Sequence, residues 1–407
     1  MQGGLQVAVI GGGAAGFFAA LSAAEHHPEA RVVLFERTSK LLSKVKISGG
    51  GRCNVTHACF SPAQLSKHYP RGGKQLKKAF SEFQAQDTVA WFEHRGVQLK
   101  TEADGRMFPV TDSSQTIVDC LTREAQRLGV DIRLQSPIHE LRRVDGGFDL
   151  HGEAFDRVVV ATGGSPKAQG LQWLADLGHS IEPPVPSLFT FNMPKEPVTA
   201  LMGVVVPKAI VRIQGTKLVQ EGPLLLTHWG MSGPAVLKLS AWGARELAER
   251  AYDFQLQVNW VGVSNASEAA SMLDATMVES RKKKVLNACP FDLPKKFWAH
   301  LVAKAGISSD SVWLDVGKKT RNKLLNTLLN DVYAVQGKTT FKEEFVTCGG
   351  VSLGDVDFQS MQSRVVPGMH FAGEVLNVDG VTGGFNFQAA WTTGFVAGRM
   401  SVTEKRP

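Results

Sequence analysis

The chain has 407 residues, 43% of them hydrophobic, which is enough for two or three domains with a large core. No apolar stretch approaches the ~20 residues that cross a membrane, which argues against an integral membrane protein. A strand-like segment begins within a few residues of the start. We therefore expect no signal peptide, and the predicted location is the cytoplasm.

The net charge is +7 and the sequence pI is near 9.1. Basic residues cluster at 281–284, 295–296 and 318–319. Such clusters are either solvated helix faces or a surface for an anionic partner, such as RNA or a phosphorylated substrate. The sequence leaves both explanations open, although solvated faces are the commoner case.

Cysteine and histidine patterns give no sign of a disulfide framework or a metal site. The five cysteines contain no CxxC pair, which indicates reduced thiols. The eleven histidines contain no HExxH or similar spacing, so no metal is predicted. The cysteines are Cys53, Cys59, Cys120, Cys289 and Cys348.

The first thirty-odd residues carry a complete nucleotide-binding pattern. Residues 5–10 predict a buried parallel strand, followed by a glycine-rich turn, an Ala-rich helix and a second apolar strand ending on Glu36. Gly11 allows the tight turn, Gly13 lets backbone approach a pyrophosphate, and Gly16 lets helix and strand pack closely. Glu36 is expected to accept hydrogen bonds from an adenosine ribose. The predicted cofactor contacts here are Gly11, Gly13, Ala14, Ala15, Gly16, Glu36 and Arg37.

A second glycine-rich stretch follows at residues 48–54. Three consecutive glycines let backbone lie against a flat or charged ligand, and the polar neighbours supply donors. Arg52 is the natural phosphate partner. Cys53 is either a redox thiol or small buried packing, and its lack of a CxxC partner favours packing. The predicted cofactor contacts are Lys44, Ser48, Gly49, Gly50, Gly51, Arg52, Cys53 and Asn54.

The next buried strand, residues 155–160, ends in a run of small residues. Such a strand returns the chain to a cofactor domain, so the first unit and this strand predict one doubly wound parallel sheet. Short strands at 130–134 and 138–144 and a hairpin turn at 146–147 are expected between them. Ala161, Thr162 and Gly163 are predicted to pass close to the nucleotide.

The middle of the chain differs in character. Residues 187–263 and about 331–345 read as an inserted β-rich domain, and residues 264–330 as a basic helical insert. A helical cap over a cofactor would exclude water. His228 precedes a predicted helix start and is either a catalytic acid or base or a structural histidine. The first part of the cofactor domain is predicted at 1–186 and its second part at 346–407.

The last seventy residues return to glycine-rich chemistry. A carboxylate directly after a strand, Glu374, can hold polyol hydroxyls. A Gly-Gly turn that opens a helix can aim N–H groups and a positive dipole at a ring that becomes anionic when reduced, which suits a flavin. The predicted cofactor contacts are Gly373, Glu374, Asp379, Gly383, Gly384, Phe385 and Asn386.

These motifs, in this order, resemble a bacterial flavoprotein family called BaiN-like, aminoacetone-oxidase-like or YhiN-type, whose members are NAD(P)/FAD-dependent oxidoreductases. The resemblance covers essentially the whole chain, and the stretch from Ser48 to Asn54 is its most specific part. It implies an α/β fold in which a glutathione-reductase-type FAD domain is interrupted by a β-barrel-like domain with a small helical insert. It does not fix the substrate, since members have been linked to amine oxidation and to reduction of steroid-like enones.

The cofactor chemistry leaves the electron source open. No second GxGxxG follows a strand, so NAD(P)H would have to dock transiently; otherwise the substrate reduces FAD and dioxygen or another acceptor reoxidises it. The leading prediction is an FAD-dependent oxidoreductase for a small organic molecule. The alternatives are an RNA-associated flavoprotein and a flavin-binding redox sensor without turnover.

Overall fold

The computed structural model describes residues 4–340 and 346–400. The chain forms two compact units, one of residues 1–187 with 342–407 and one of residues 188–341. This division lies close to the boundaries predicted after residues 186 and 345. The separate helical insert at 264–330 stays a prediction, and the parts of the predicted domains at 1–3, 341–345 and 401–407 lie outside the described residues.

The first unit begins with a strand, helix, strand unit as the sequence predicts. Its strands up to residue 187 are β1 (Gln6–Ile10), β2 (Arg31–Phe35), β3 (Thr56–His57), β4 (Leu99–Thr101), β5 (Arg106–Pro109), β6 (Asp131–Arg133), β7 (Arg142–Val144), β8 (Gly147–Leu150), β9 (Glu153–Phe155), β10 (Arg157–Val160) and β11 (Ile181–Ser187). Its helices are α1 (Ala14–His26), α2 (Ser43–Gly51), α3 (Pro62–Leu65), α4 (Gly73–Ala79), α5 (Ala85–Glu93), α6 (Ser114–Arg127) and α7 (Gln172–Asp176), with 3₁₀ turns at Ser66–His68 and Ala168–Leu171.

The second unit is built on an antiparallel sheet. Its strands are β12 (Thr190–Asn192), β13 (Val205–Ile213), β14 (Val219–Thr227), β15 (Gly230–Ser232), β16 (Asp253–Asn259), β17 (Asp331–Gln336) and β18 (Lys338–Thr339). Its helices are α8 (Pro234–Trp242), α9 (Ala244–Glu249), α10 (Ala266–Glu279), α11 (Lys295–Lys304) and α12 (Lys318–Leu329), with 3₁₀ turns at Pro197–Leu201, Val285–Asn287 and Trp313–Asp315. The strands lie in the order β17-β16-β13-β14-β15-β12-β18. The core of this unit includes fully buried Trp260, Trp298 and Trp313.

The chain then returns to the first unit. This segment contains β19 (Val346–Val351), β20 (Val356–Asp357), β21 (Gln362–Ser363), β22 (Met369–Phe371) and α13 (Phe385–Gly398), with 3₁₀ turns at Leu353–Asp355 and Gly373–Val375. Strand β19 pairs with β11, and β22 joins the main sheet beside β10. The structure confirms the predicted cofactor-type sheet assembled from separated pieces of sequence.

The main sheet of the first unit has the order β20-β21-β22-β10-β1-β2-β6, and its strands from β22 to β6 run parallel. Ile10 lies opposite both Phe35 and Val160, and Val160 lies opposite Phe371. The four strands therefore end at one level. Ligands of open α/β sheets bind at this carboxyl edge.

Helices α1 and α13 pack closely because glycines face α1. A Cβ on Gly394 would lie 2.5 Å from the carbonyl oxygen of Ala15, and one on Gly398 would lie 2.4 Å from that of Ala19. Ser22 Oγ donates a hydrogen bond to the carbonyl of Phe395 at 2.7 Å. These contacts join α1 to the carboxyl-terminal end of α13 within the first unit.

Candidate functional site

The turn after β1 shows three different uses of glycine. Gly11 has φ +114°, and a Cβ there would lie 2.3 Å from the carbonyl oxygen of Ala161. A Cβ on Gly16 would lie 1.8 Å from the carbonyl oxygen of Gly11, so strand and helix touch. A Cβ on Gly13 would meet nothing within 4 Å among the described residues. Gly11 and Gly16 are therefore needed for packing, whereas Gly13 faces open space.

The amino end of α1 is open to an anion. Its N-cap, Gly13, contributes no side-chain hydrogen bond, and the first helical bond runs from Phe17 N–H to the Gly13 carbonyl at 3.0 Å. The helix itself does not use the N–H groups of Ala14, Ala15 and Gly16. Together with the helix dipole, these donors form the site in which this fold binds a pyrophosphate.

Glu36, at the end of β2, is fixed by the same turn. One carboxylate oxygen accepts from Gly12 N–H at 2.8 Å, and the other accepts from the N–H and hydroxyl of Thr38, both at 2.8 Å. The side chain is half-buried and keeps lone pairs for ribose hydroxyls. Arg37 is exposed beside it.

The glycine-rich stretch at 48–54 begins within the last turn of α2, where the helical geometry breaks. Ser48 has ψ 152°, and Gly49 and Gly50 have left-handed φ values of 58° and 69°. Only glycine adopts two such conformations in succession at low cost. The polar groups of this stretch are thus carried on and just after a kinked helix end.

Arg52 and Asn54 follow this kink and have partners within the unit. Arg52 pairs with Glu102 at 2.6 Å and lies over the Phe108 ring at 4.0 Å. With its side-chain amide turned so that both polar atoms are paired, Asn54 donates to the Thr56 carbonyl at 3.0 Å and accepts from Gly384 N–H at 2.9 Å. The phosphate contact of Arg52 stays a prediction, while Asn54 joins this segment to the turn before α13.

Cys53 is fully buried, with a left-handed φ of 61°. Burial raises the pKa of its thiol to about 12, against a weaker opposing hydrogen bond from Ser48. The thiolate form is therefore suppressed, which favours the packing alternative over a redox thiol. Among the described residues, all five cysteines are free thiols.

A polar cluster surrounds Glu374 in the 3₁₀ turn after β22. Lys44 Nζ lies 2.7 Å from one carboxylate oxygen, and the N–H of Thr347 donates to the other at 2.8 Å. A Cβ on Gly164 would lie 2.6 Å from Glu374 Oε1 and 2.4 Å from Thr347 Oγ1. Gly373, with φ +75°, lies against Ala15, since a Cβ there would be 2.7 Å from the Ala15 methyl. The cluster is therefore continuous with the turn after β1.

The turn before α13 is held by side chains from both directions. Asn386 accepts from Gly380 N–H at 2.8 Å and donates to the Gly380 carbonyl at 2.9 Å. Gly383 and Gly384 have φ values of 125° and 90°, and a Cβ on Gly384 would lie 2.6 Å from the Thr56 carbonyl oxygen. The Phe385 ring stacks with two imidazoles, those of His57 at 4.7 Å and His68 at 4.2 Å.

Asp379 is fully buried and occupied by protein groups. Arg71 binds both carboxylate oxygens, with Nε 2.5 Å from Oδ1, and the hydroxyl of Ser187 donates to Oδ2 at 2.7 Å. Burial raises the pKa of this carboxyl group, and the Arg71 guanidinium opposes that rise. The geometry makes Asp379 an anchor for the turn, and its predicted contact with the cofactor stays a prediction.

The structure places His228 in the second unit. It is exposed in the two-residue turn between β14 and β15, and its ring meets Trp229 edge to face at 4.3 Å. The predicted strand, loop and helix at 224–234 is a hairpin followed by α8, with Pro234 in the first turn. A catalytic role for His228 stays a prediction.

The described residues fit FAD. The open space beside Gly13 at the amino end of α1 matches a pyrophosphate, Glu36 matches a ribose, and the half-buried Glu374 with its polar neighbours matches a second polyol. The sequence analysis did not single out Thr347. This residue is 1% exposed, and its hydroxyl has no hydrogen-bond partner among residues 4–340 and 346–400. Position alone could have suggested it, because it precedes two glycines in a strand.

Across residues 4–340 and 346–400, no group of three or more His, Cys, Asp or Glu side chains is arranged to hold a metal ion, and none of the helices has the length and hydrophobicity of a membrane span.

Comparison with known proteins identifies the family of the chain. The family profile described as HI0933-like protein Rossmann domain matches residues 5–400. A 3-dehydro-bile acid delta(4,6)-reductase of Clostridium scindens is 26% identical, over 98% of this chain and 99% of its own. A ribosomal RNA dihydrouridine synthase of Escherichia coli is 29% identical, over 98% of both chains. The solved 3-ketosteroid delta1-dehydrogenase of Sterolibacterium denitrificans is 12% identical, with a TM-score of 0.49 over 96% of this chain and 98% of its own. The chain belongs to the HI0933-like Rossmann family, and it is an FAD-dependent oxidoreductase of the BaiN and YhiN type that its motifs predict.

Proposed function

We propose that the protein reduces a carbon–carbon double bond conjugated to a carbonyl group, with transiently bound NAD(P)H as the electron donor. The observation that carries this proposal is a chemistry shared by relatives with different names. One relative is named a reductase of a dehydro bile acid and another a synthase of dihydrouridine. Dihydrouridine is uridine with its C5=C6 bond saturated, and that bond is conjugated to the C4 carbonyl as in an enone. Both products require two electrons and two protons across such a bond.

When bound, FAD supplies hydride transfer, and the residues of this chain bind and orient it. The amino end of α1 and Glu36 would hold the nucleotide half, and the turn before α13 would direct N–H groups and a helix dipole toward the ring half. The C=C bond also needs a proton. His228 is the candidate acid from the sequence, and a His228→Asn variant should lower the rate of product formation and leave FAD affinity unchanged if it has that role.

The distribution of charge favours RNA over a small enone as substrate. Residues 264–330 contain eleven Lys and Arg against six Asp and Glu, so they carry +5 of the chain's +7. Within them, the side chains of Lys282, Lys283, Lys295, Lys296, Lys318 and Lys319 are exposed. Exposed cations concentrated in one segment bind a phosphate backbone. The substrate supported by this observation is a uracil in ribosomal RNA, and a small enone is the second candidate because of the bile-acid relative.

The test follows the flavin absorbance under anaerobic conditions. NADH and NADPH are added separately to the holoenzyme, and the reduced protein is then mixed with in vitro-transcribed ribosomal RNA or with an unsaturated 3-ketosteroid. We expect one nicotinamide to bleach the flavin and the RNA to restore its colour, with dihydrouridine found by nucleoside mass spectrometry. Restoration by the ketosteroid alone would support the second candidate. Reoxidation only by dioxygen, or reduction by amines but not by NAD(P)H, would contradict the proposal.

Charge reversal tests the RNA contact separately from the chemistry. Lys282→Glu/Lys283→Glu should weaken RNA binding and lower the dependence of log K on log[salt] by about one to two units, since each lost phosphate contact accounts for ~0.7–0.9 of the slope. Lys77→Glu/Lys78→Glu changes the net charge equally, at two exposed positions of α4 in the first unit. Equal losses in both double variants would show a nonspecific charge effect.

A further inference from the structure

We infer that Lys67 and Lys74 bind the 2′-phosphate of NADPH, so that the transiently bound electron donor is NADPH and not NADH. The inference rests on the proposed function, which requires a nicotinamide donor. It adds the place where the donor's phosphate is held and the choice between the two nucleotides. Neither the family description nor the names of the relatives assigns either point.

A nicotinamide donor needs a phosphate site that the glycine motifs do not supply. The glycine turn at residues 11–16 is assigned to the pyrophosphate of FAD, and no second GxGxxG follows a strand in the sequence. A dinucleotide without a glycine turn of its own is bound through side chains, and lysine is a common partner of phosphate. Cations close to the place of the flavin ring are therefore the candidates.

One stretch of the first unit is cationic throughout. Residues 53–81 contain five Lys and Arg and no Asp or Glu. One of the five, Arg71, is paired with Asp379. The other four are exposed and form no ion pair among residues 4–340 and 346–400; they are Lys67, Lys74, Lys77 and Lys78. Their charges are available to an anion from solution.

The position of Lys74 in α4 is unfavourable for the helix itself. Lys77 and Lys78 lie in the last turn, where the helix dipole favours a cation. Lys74 lies in the first turn, where the dipole disfavours a cation, and no acidic residue of that turn compensates. Helix stability therefore accounts for the lysines at the end of α4 but not for Lys74.

Lys67 brings a second cation to the same place. A Cβ on Gly73 would lie 2.3 Å from the carbonyl oxygen of Ser66, so the 3₁₀ turn and the start of α4 touch. Lys67 and Lys74 are the next residues in these two elements, and their backbones are therefore neighbours. Two like charges held close together repel each other, and an anion bound between them turns that repulsion into attraction.

The segment that carries both lysines also holds the turn before α13. The carbonyl of His68 accepts from Val381 N–H at 2.9 Å, and the hydroxyl of Tyr69 donates to the carbonyl of Phe385 at 2.6 Å. This turn is the predicted place of the flavin ring. A nicotinamide that reaches the ring can therefore place its phosphates against Lys67 and Lys74.

A pair of lysines distinguishes the two nicotinamide nucleotides by charge. The 2′-phosphate, which NADH lacks, is a monoester, and such a group carries about 1.5–2 negative charges at pH 7. Two cations match that charge. The phosphates of RNA are diesters with a single charge each, and the basic segment at 264–330 is the part of the chain assigned to them. The compact pair at Lys67 and Lys74 thus fits the monoester of NADPH.

The first test measures binding without any turnover. Adenosine 2′,5′-bisphosphate carries the 2′-phosphate of NADPH but no nicotinamide, and AMP lacks that phosphate. Calorimetry with the FAD-loaded protein should show the bisphosphate binding about tenfold more tightly than AMP, and more weakly as salt is added. Lys67→Glu/Lys74→Glu should remove this difference, since two attractions become repulsions.

The second test follows the bleaching of the flavin under anaerobic conditions. In Lys67→Glu/Lys74→Glu, the NADPH concentration for half-maximal reduction should rise about tenfold, and that for NADH should change less than about threefold. The limiting rate and the FAD content should stay unchanged, because the lysines hold the donor and not the flavin. The matched control is Lys208→Glu/Lys217→Glu, at two exposed lysines of the second unit without an ion pair in the described part of the chain.

The outcomes separate this inference from the proposed function. Equal binding of the bisphosphate and AMP by the parent protein, or an equal loss in the control variant, would overturn the inference. So would a loss of ribosomal RNA binding in Lys67→Glu/Lys74→Glu with bisphosphate binding intact, since the lysines would then serve RNA. Bleaching by NADPH that is equally efficient in the parent protein and this variant contradicts the inference alone. No bleaching by either nucleotide contradicts the proposed function, and the inference with it.

Discussion

Two single-methyl substitutions in the turn after β1 should have opposite effects on folding and on FAD binding. In Gly13→Ala the methyl group enters open space, since a Cβ there meets nothing within 4 Å in the described part of the chain. In Gly16→Ala the methyl group would lie 1.8 Å from the carbonyl oxygen of Gly11. The first change should spare the fold and impair the cofactor site, and the second should damage the fold itself.

The magnitudes follow from the local geometry. Gly13 has φ −91° and ψ −170°, which alanine adopts without strain. Its poorer N-cap quality, about 0.5–1 kcal/mol, is offset by a reduced entropy of the unfolded chain of about 0.4–1 kcal/mol. For Gly16→Ala, an ordinary contact of 3.4 Å requires the Gly11 carbonyl to shift by about 1.6 Å. A displacement of this kind costs about 3 kcal/mol or more.

The assay measures melting temperature and FAD affinity of flavin-stripped protein side by side. Gly13→Ala should melt within about 3 °C of the parent protein and bind FAD at least about tenfold more weakly, because the methyl group keeps the pyrophosphate from the helix N–H groups. Gly16→Ala should melt about 6–12 °C lower, at 2–4 °C per kcal/mol for a unit of this size. Full FAD affinity in Gly13→Ala would refute the reasoning, since the pyrophosphate would then lie elsewhere.

Three further outcomes follow from the buried and hydrogen-bonded groups. Glu36→Gln replaces one of the two carboxylate oxygens, both of which accept from N–H groups, by an amide NH₂ donor. Fluorescence titration should therefore show that the affinity for FAD falls about tenfold. Arg71→Leu leaves the Asp379 carboxylate buried without its cation and should cost about 3–5 kcal/mol in urea unfolding, much of it recovered in Arg71→Leu/Asp379→Asn; no recovery would contradict the pairing. Burial lowers the pKa of His370 to about 4, so neutral His370 contributes stability that is complete above pH 6.5 and is lost as the pH falls toward 4. That contribution is at most about 3 kcal/mol, and His370→Leu should flatten the stability curve in this window; an unchanged slope would count against it.

Much of the first unit was predictable because its signals are local. A strand of five residues, a glycine turn and a helix appear in sequence order, so β1, α1 and β2 can be read directly. The hairpin predicted at 146–147 is found with its turn one residue earlier, at Asp145 and Gly146, so that Gly147 lies in β8 opposite Val144. The strand predicted at 138–144 is present only at Arg142–Val144, because its first residues have no partner strand. Pairing, and not residue preference, sets that boundary.

The sheet β3-β5-β4 and the Arg71–Asp379 pair were not predictable in the same way. Strand β3 has two residues and pairs with β5 through Thr56 and Met107, which are far apart in sequence. Arg71 and Asp379 are separated by about three hundred positions, with the whole second unit between them. Neither leaves a periodic pattern in the sequence, since each depends on where the completed sheet brings distant segments together.

The glycines of the sequence motifs have different structural causes, which the sequence does not distinguish. At Gly11 and Gly16 the sequence pattern reports packing between backbone atoms, and the structure shows carbonyl oxygens where a side chain would lie. At Gly164 it also reports packing, since a Cβ there would lie 2.4 Å from Thr347 Oγ1, whereas at Gly13 it reports open space. Sequence alone cannot separate the two kinds, because both are simply glycine. The structure separates them, because a methyl group on Gly13 would meet nothing within 4 Å among the described residues. Cofactor binding should therefore depend on the open backbone at Gly13 and on Glu36, which is held by the neighbouring Gly12 N–H.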